Sequence, residues 1–98
     1  MDDKKFINDY LELYRQSLIE TDVSEKLIRM KEMLLEVKER GNKVIVAGNG
    51  GSAAIAGHAA VDFTKQAGIR MINFNEAGLI TCFANDYGYE KWVSKAIE

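Results

Sequence analysis

The sequence contains no proline, a single cysteine and no long apolar run. The one thiol, Cys82, cannot form an internal disulfide, and its apolar surroundings at 79–84 favour a buried free cysteine. No apolar run approaches the roughly 20 residues that span a membrane, and the charged residues 1–5 lead into no secretion signal. We therefore expect a cytoplasmic protein without a membrane partner.

The chain also lacks an excess of positive charge. It has 13 lysines and arginines and 15 aspartates and glutamates, which gives a net charge of -2. Nucleic-acid-binding proteins usually carry a basic stripe, so we expect no nucleic-acid partner. A small anion stays compatible with this charge, because backbone amides at a helix start can hold phosphate. The length of 98 residues suits one small domain.

Residues 1–41 predict a helical hairpin. Apolar residues recur at three- and four-residue steps over 3–20 and again up to about residue 40, which predicts two helices with one buried stripe each. Asp22 followed by Glu25 resembles a capping box, and Gly41 suits the position after the second helix. The stripe residues are Phe6, Tyr10, Leu13, Tyr14 and Leu18 in the first helix, then Val23, Leu27, Met30, Leu34 and Val37.

Residues 42–98 predict an α/β unit. The apolar, β-branched run 43–47 is typical of a strand that is covered on both faces in a parallel sheet. The further predicted elements are a helix over 52–66 ended by Gly68, a strand over 69–74, and helices over 77–86 and 89–97 separated by Gly88. Strand–helix–strand order implies a right-handed parallel crossover. We expect the first part of a doubly wound parallel sheet that is apparently truncated, since two strands alone make a poor sheet.

A glycine-rich loop, Gly48-Asn49-Gly50-Gly51-Ser52, joins the first strand to its helix. Glycines permit positive φ and close approach of a ligand, and the amides and dipole of a helix start favour an anion. The spacing matches neither the dinucleotide fingerprint nor the P-loop. From spacing alone the segment is either a ligand loop or a plain tight turn, with Ser52 as helix cap, ligand contact or both.

The run 44–54, which contains Gly-Asn-Gly-Gly-Ser-Ala-Ala, resembles SIS-domain proteins of the phosphoheptose isomerase (sedoheptulose 7-phosphate isomerase) type. His58 and the later Asn85-Asp86-Tyr87-Gly88-Tyr89 strengthen the resemblance, which covers essentially the whole chain as the N-terminal half of that family. It implies an isomerase that converts a ketoheptose phosphate to an aldoheptose phosphate through an enediol. It also implies a homotetramer with the N-terminal helices in the subunit interfaces. Because members are about twice this length, we expect the 98-residue piece alone to be inactive.

The resemblance assigns roles by matching position. Asn49, Gly50, Gly51 and Ser52 match the family's substrate-contacting loop, and Asn85 and Asp86 match its substrate-contacting pair. His58 matches a histidine that binds zinc in several members. Four residues later the family usually has a glutamate that serves as metal ligand and proton-transfer base, and this sequence has Asp62. The implied catalytic and metal-binding residues are thus His58 and Asp62, which share a helix face at i and i+4.

Each assignment has a simpler alternative. His58 also fits a packed helix residue, Asp62 an exposed carboxylate, and Asn85-Asp86 a helix-ending turn. Zinc takes three or four protein ligands, so two candidates make zinc an expectation for the full-length protein only. The shorter Asp62 leaves a non-catalytic sugar-phosphate-binding or replication-initiator-associating protein as an alternative, and the hairpin leaves an assembly module. Three further aromatic residues are expected in the core or an interface: Tyr87, Tyr89 and Trp92.

Overall fold

The computed structural model describes every residue from Met1 to Glu98, and the chain divides into two compact units, Met1–Lys31 and Glu32–Glu98. The helices are α1 (Asp3–Tyr14, followed by a π-helical turn Arg15–Ile19), α2 (Ser24–Glu39), α3 (Gly51–Asp62, followed by a π-helical turn Phe63–Ala67), α4 (Ala77–Tyr87), a 3-10 turn (Tyr89–Lys91) and α5 (Trp92–Ile97). The strands are β1 (Val44–Val46) and β2 (Met71–Asn73). None of the helices combines the length and apolarity needed to cross a membrane.

In the first unit, α1 begins where the carboxylate of Asp2 accepts a hydrogen bond from the amide of Lys5 at 3.1 Å. The predicted apolar stripe is present, but the prediction that it is buried is wrong for this chain. Its five side chains are between 51% and 61% exposed. An amphipathic helix buries its stripe only where another apolar surface packs against it.

The second helix, α2, begins at Ser24, and the predicted capping box is wrong. The carboxylate of Asp22 accepts a hydrogen bond from the amide of Ser24 at 2.9 Å rather than from Glu25. The chain therefore enters α2 through an Asx turn. Of the predicted stripe, Leu34 and Val37 are half-buried, while the three earlier residues are exposed. Gly41 follows the helix with φ +67°, as predicted.

The second unit contains a parallel sheet of two strands, which confirms the predicted strand–helix–strand order. Val44 lies opposite Met71, and Val46 lies opposite Asn73. Helix α3 packs against both strands. The strands are shorter than the predicted 43–47 and 69–74, and β1 is half-buried rather than covered on both faces. The buried apolar residues are Ala56, Ile69, Met71 and Trp92.

Hydrogen bonds to the segment after α3 fix where β2 begins. Gly68 adopts a left-handed conformation with φ +61° and ends the π-helical turn, as predicted. The ammonium group of Lys38 donates to the carbonyl oxygen of Ala67 at 3.0 Å. The hydroxyl of Thr64 exchanges hydrogen bonds with both backbone groups of Met71. The turn is therefore attached to the end of α2 and to the start of β2.

Helix α4 is capped by Glu76, whose carboxylate accepts hydrogen bonds from the amides of Gly78 and Leu79, both at 2.9 Å. These backbone hydrogen bonds hold the pKa of Glu76 below its ordinary value. Trp92 is 2% exposed, which confirms its predicted core position. Cys82 is exposed, so its predicted burial is wrong. Its apolar neighbours lie on a helix, and a helix presents successive residues to different sides.

Candidate functional site

The glycine loop turns sharply between β1 and α3. A Cβ atom at Gly48 would overlap the carbonyl group of Ser52 and lie 2.8 Å from the amide nitrogen of Ala53, so the loop closes on the helix through a position where only glycine fits. Gly50 has φ +55° and ψ -123°, a conformation that side chains disfavour. Both glycines are required by local geometry, as the sequence predicts for a loop that brings its backbone close to a neighbour.

The start of α3 presents a specific set of donors. Ser52 does not cap the helix, because Gly50 occupies the cap position. The amides of Ser52 and Ala53 donate to the carbonyl oxygens of Asn49 and Gly50, each at 3.0 Å. The amides of Gly50 and Gly51 and the hydroxyl of Ser52 donate no hydrogen bond within the chain. These three groups are therefore available at the positive end of the helix dipole.

Two asparagines, Asn73 at the end of β2 and Asn75 just after it, hold the loop and the end of β1. The side-chain amide of Asn75 donates to the carbonyl oxygen of Gly48 at 2.6 Å and accepts from its amide at 3.2 Å, as a peptide group of an adjacent strand would. Asn73 donates to the carbonyl oxygen of Val46 at 3.0 Å and accepts from the amide of Asn75 at 2.7 Å. Sequence reasoning missed both residues. Their position at the carboxyl end of the second strand was a usable signal, since ligand loops lie at the carboxyl ends of parallel strands.

A tyrosine near the end of the chain reaches the same loop. The hydroxyl of Tyr89 donates to the side-chain oxygen of Asn49 at 2.8 Å. The sequence predicted a core or interface role for this aromatic residue, and the side chain is 54% exposed. This hydrogen bond is the one that joins the end of α4 to the glycine loop, and no sequence pattern pointed to it.

His58 and Asp62 lie together on α3, which confirms that they share one helix face. The Nε2 atom of His58 is 3.2 Å from Oδ2 of Asp62, and their side chains are 78% and 55% exposed. They line a surface groove of about 530 Å³ with the apolar residues Ala54, Ile55, Ala59 and Phe63. His58 follows Gly51 by seven residues, or about 10 Å along the helix axis at 1.5 Å per residue. The groove runs along α3 and its end, from Ala54 to Phe63, and no residue of the glycine loop lines it.

The donors of this chain are too few for the zinc ion that the resemblance implies. A structural or catalytic zinc ion takes three or four protein ligands. His58 and Asp62 supply two, and the chain has no group of three or more histidine, cysteine, aspartate or glutamate residues placed to hold a metal ion. The residues of this chain therefore do not complete a zinc site.

The predicted substrate-contacting pair lies in the last turn of α4. The side-chain amide of Asn85 donates to Oδ1 of Asp86 at 3.1 Å, and Oδ2 of Asp86 is 3.7 Å from the sulfur of Cys82. Both residues are exposed. No hydrogen bond connects them to the glycine loop or to His58 and Asp62. Their contact with substrate stays a prediction.

Comparison with known proteins identifies phosphoheptose isomerases among the relatives of this chain. The phosphoheptose isomerase of Aneurinibacillus thermoaerophilus is 34% identical over 94% of this chain and 54% of its own length. That of Trichlorobacter lovleyi is 32% identical over 96% of this chain and 50% of its own length. That of Fusobacterium nucleatum is 33% identical over 89% of this chain and 47% of its own length. No family model matches the chain, and no solved structure matches it.

These similarities confirm the resemblance that the glycine loop and the Asn-Asp-Tyr-Gly-Tyr segment indicated. The chain spans about half the length of the curated relatives it matches. The match nevertheless includes most of this chain, at 32–34% identity. The chain therefore fits an N-terminal portion of the phosphoheptose isomerase family.

Proposed function

We propose that this chain forms one wall of the sugar-phosphate site of a phosphosugar isomerase with an SIS domain, and that sedoheptulose 7-phosphate is its substrate. The observation that carries the proposal is the glycine loop, whose shape depends on Gly48 and whose unpaired donors lie at the start of α3. Donors at a helix N-terminus bind anions well. The similarity to proteins named phosphoheptose isomerase supports a phosphosugar substrate.

In this proposal Asp62 is the base that moves the proton. An aldose–ketose isomerase removes a proton from C1 of the ketose while the C2 carbonyl oxygen gains one, which forms an enediol. Return of a proton to C2, with loss of the C1 hydroxyl proton, gives the aldose. Proton transfer of this kind needs a positioned base. The imidazole of His58, 3.2 Å from the carboxylate, holds that base in place.

The other predicted residues complete the proposal. Asn49 and Ser52 contact the substrate together with the amides of Gly50 and Gly51, while Asn85 and Asp86 contact it from α4.

Residues 1–41 form the helical hairpin of a homotetramer interface, and residues 42–98 form the first strand–helix–strand unit of the SIS domain. The exposed apolar stripe of α1 supports the interface role. The cytoplasmic location and the absence of nucleic-acid and membrane partners stay predictions from the sequence.

The 98-residue chain alone is expected to bind sugar phosphate without turning it over. The side chains of His58 and Asp62 are 78% and 55% exposed, so the reacting carbons would lie in contact with water. Catalytic electrostatics and proton transfer are effective where water is excluded. Detection of heptose phosphate formed by the purified chain would contradict this expectation.

Binding is tested with the isotope-labelled chain by NMR. Sedoheptulose 7-phosphate is expected to shift the backbone amide signals of Gly50 and Gly51, whereas sedoheptulose without the phosphate is expected to shift them much less. Inorganic phosphate is the third titrant, and it separates an anion site from a sugar-phosphate site. No shift of the loop amides at millimolar sugar phosphate would refute the proposed function. Asp62→Asn is the control variant, since it should keep binding while removing the base.

A further inference from the structure

We propose that Tyr89 is a positioning residue for the sugar-phosphate site: its hydroxyl fixes the side-chain amide of Asn49 so that the NH₂ group faces the ligand. The proposal rests on the function proposed above and adds a residue that neither sequence pattern nor similarity assigned. Its basis is the 2.8 Å hydrogen bond from the Tyr89 hydroxyl to Oδ1 of Asn49, which joins residues 40 positions apart in the chain.

The chemistry of the asparagine side chain gives this contact its consequence. An asparagine amide has an accepting oxygen at one end and two donating N–H bonds at the other, and an unrestrained one can present either end. Tyr89 occupies the oxygen of Asn49. The NH₂ group makes no hydrogen bond within the chain and is free to donate.

The resulting loop presents donors of one kind. The amides of Gly50 and Gly51, the hydroxyl of Ser52 and the NH₂ group of Asn49 all have unused N–H or O–H bonds. A ligand oxygen, from a phosphate or a sugar hydroxyl, accepts such bonds. An asparagine turned the other way would place a carbonyl oxygen against the phosphate and repel it. In the orientation that the structure has, with Tyr89 donating to Oδ1, the side-chain amide of Asn49 thus suits an anionic, oxygen-rich ligand.

The position of Tyr89 is determined by its neighbours rather than by its own burial. Gly88 has φ +94°, and the amide of Lys91 donates to the carbonyl oxygen of Gly88, which forms the tight turn that carries the tyrosine. Trp92 follows directly and is 2% exposed, so it fixes the turn to the core of the unit. The ring itself is 54% exposed. Removal of its hydroxyl should therefore leave the fold intact.

Tyr87 provides a matched control. It lies two residues earlier, is 47% exposed and packs edge-on against Phe83 with ring centroids 5.6 Å apart. Its hydroxyl makes no hydrogen bond within the chain. Tyr87→Phe and Tyr89→Phe each remove one phenolic oxygen from an exposed ring, but only the second removes a contact with Asn49.

The first experiment needs no ligand. In the labelled chain, Tyr89→Phe is expected to shift the side-chain NH₂ signals of Asn49 and to bring the two proton shifts closer together as the amide gains freedom. Tyr87→Phe is expected to leave those signals in place. The proposal is overturned if the two variants affect the Asn49 side chain equally or if neither affects it.

The second experiment measures affinity for sedoheptulose 7-phosphate by calorimetry. Tyr89→Phe is expected to weaken binding about 5-fold, the usual effect of one hydrogen bond, and Tyr87→Phe less than about 2-fold. Asn49→Asp keeps an acceptor for Tyr89 but removes the NH₂ donors and adds negative charge, so binding should fall by more than about 10-fold.

A double-mutant comparison shows whether Tyr89 affects binding through Asn49. If Tyr89 acts through Asn49, Tyr89→Phe should have no further effect on affinity in an Asn49→Ala background. An equal loss in both backgrounds, or tighter binding by Tyr89→Phe, would overturn the proposal. Absence of binding by the unsubstituted chain would instead refute the proposed function, while the ligand-free NMR comparison decides the role of Tyr89 by itself.

Discussion

The glycine loop and the His58–Asp62 pair both depend on α3, yet they are held in different ways. The loop is fixed by contacts from three segments: Ser52 limits Gly48 sterically, Asn75 pairs with its backbone, and Tyr89 binds Asn49. The pair is held only by its own helix and by the 3.2 Å contact between its members. The start of α3 is thus fixed by contacts from other segments, while His58 and Asp62 farther along the same helix stay open to solvent.

The largest effect that tests this comparison is expected for Gly48→Ala. The new methyl group would collide with backbone atoms of Ser52 and Ala53, which cannot move without displacing the start of α3. We expect a loss of about 3 kcal/mol or more in the free energy of unfolding, at the upper end of overpacking effects. This loss can be measured by urea unfolding, with the fluorescence of Trp92 as the signal. Trp92 is the single tryptophan and lies in the second unit.

Gly57→Ala is the control for this substitution. Gly57 lies inside α3, and a Cβ atom there meets nothing within 4 Å. Alanine favours the helix over glycine by about 1 kcal/mol, so this variant should be more stable than the original chain. If Gly48→Ala were tolerated as well as Gly57→Ala, the loop would not be sterically fixed and the comparison would fail.

Asn75→Ala is expected to have the next largest effect. It removes both hydrogen bonds to Gly48 and leaves two part-buried backbone groups without a partner. We expect a loss of about 1 to 3 kcal/mol in unfolding free energy. Asn85→Ala, which removes an exposed side chain bonded only to its neighbour Asp86, should change stability by less than about 0.5 kcal/mol. Similar losses for the two variants would show that Asn75 does not support the loop.

The stability of the segment that holds the loop should also depend on pH, because Glu76 directly follows Asn75. Hydrogen bonds from the amides of Gly78 and Leu79 lower the pKa of this carboxyl below its ordinary value of 4.5. The stabilisation is therefore complete above pH 4.5 and is lost as the pH falls through the lower folded-state value. Between about pH 5 and pH 3, the urea unfolding midpoint of Glu76→Gln should therefore fall less than that of the original chain.

The matched variant for the pH experiment is Glu39→Gln, which changes an exposed carboxyl at the end of α2. Its unfolding midpoint should decline with acid as steeply as that of the original chain. A slope that is unchanged by Glu76→Gln, or changed equally by both variants, would contradict the assignment of the pH response to the cap of α4.

Local rules predicted much of the second unit from sequence. The apolar run before the loop, the parallel strand pair, the glycines at 50, 68 and 88 and the buried Trp92 all follow from periodicity, β-branching and positive φ. The i, i+4 spacing likewise predicted that His58 and Asp62 would meet. Each of these features depends on interactions within a few residues or on strand chemistry that the sequence displays directly.

Long-range polar contacts could not be predicted in the same way. Asn75 and Tyr89 lie 27 and 40 positions from the loop residues they bind, and no local spacing rule pairs residues that far apart. The predicted burial of Cys82 and of the α1 stripe failed for a different reason. Apolar character shows that a surface can be buried, but burial also needs a second surface, and periodicity does not report whether this chain provides one.

The smallest stability effect is expected at the His58–Asp62 pair. Exposed polar side-chain pairs contribute about 0 to 1 kcal/mol, and neither side chain contacts a distant segment through a hydrogen bond. His58→Gln and Asp62→Asn should each change the unfolding free energy by less than about 0.5 kcal/mol, with a coupling between them of similar size in a double-mutant cycle. A larger coupling would mean that the pair is held as firmly as the loop. The small effect expected here, beside the large one at Gly48, would show that the loop is fixed by its surroundings while the His58–Asp62 pair is not.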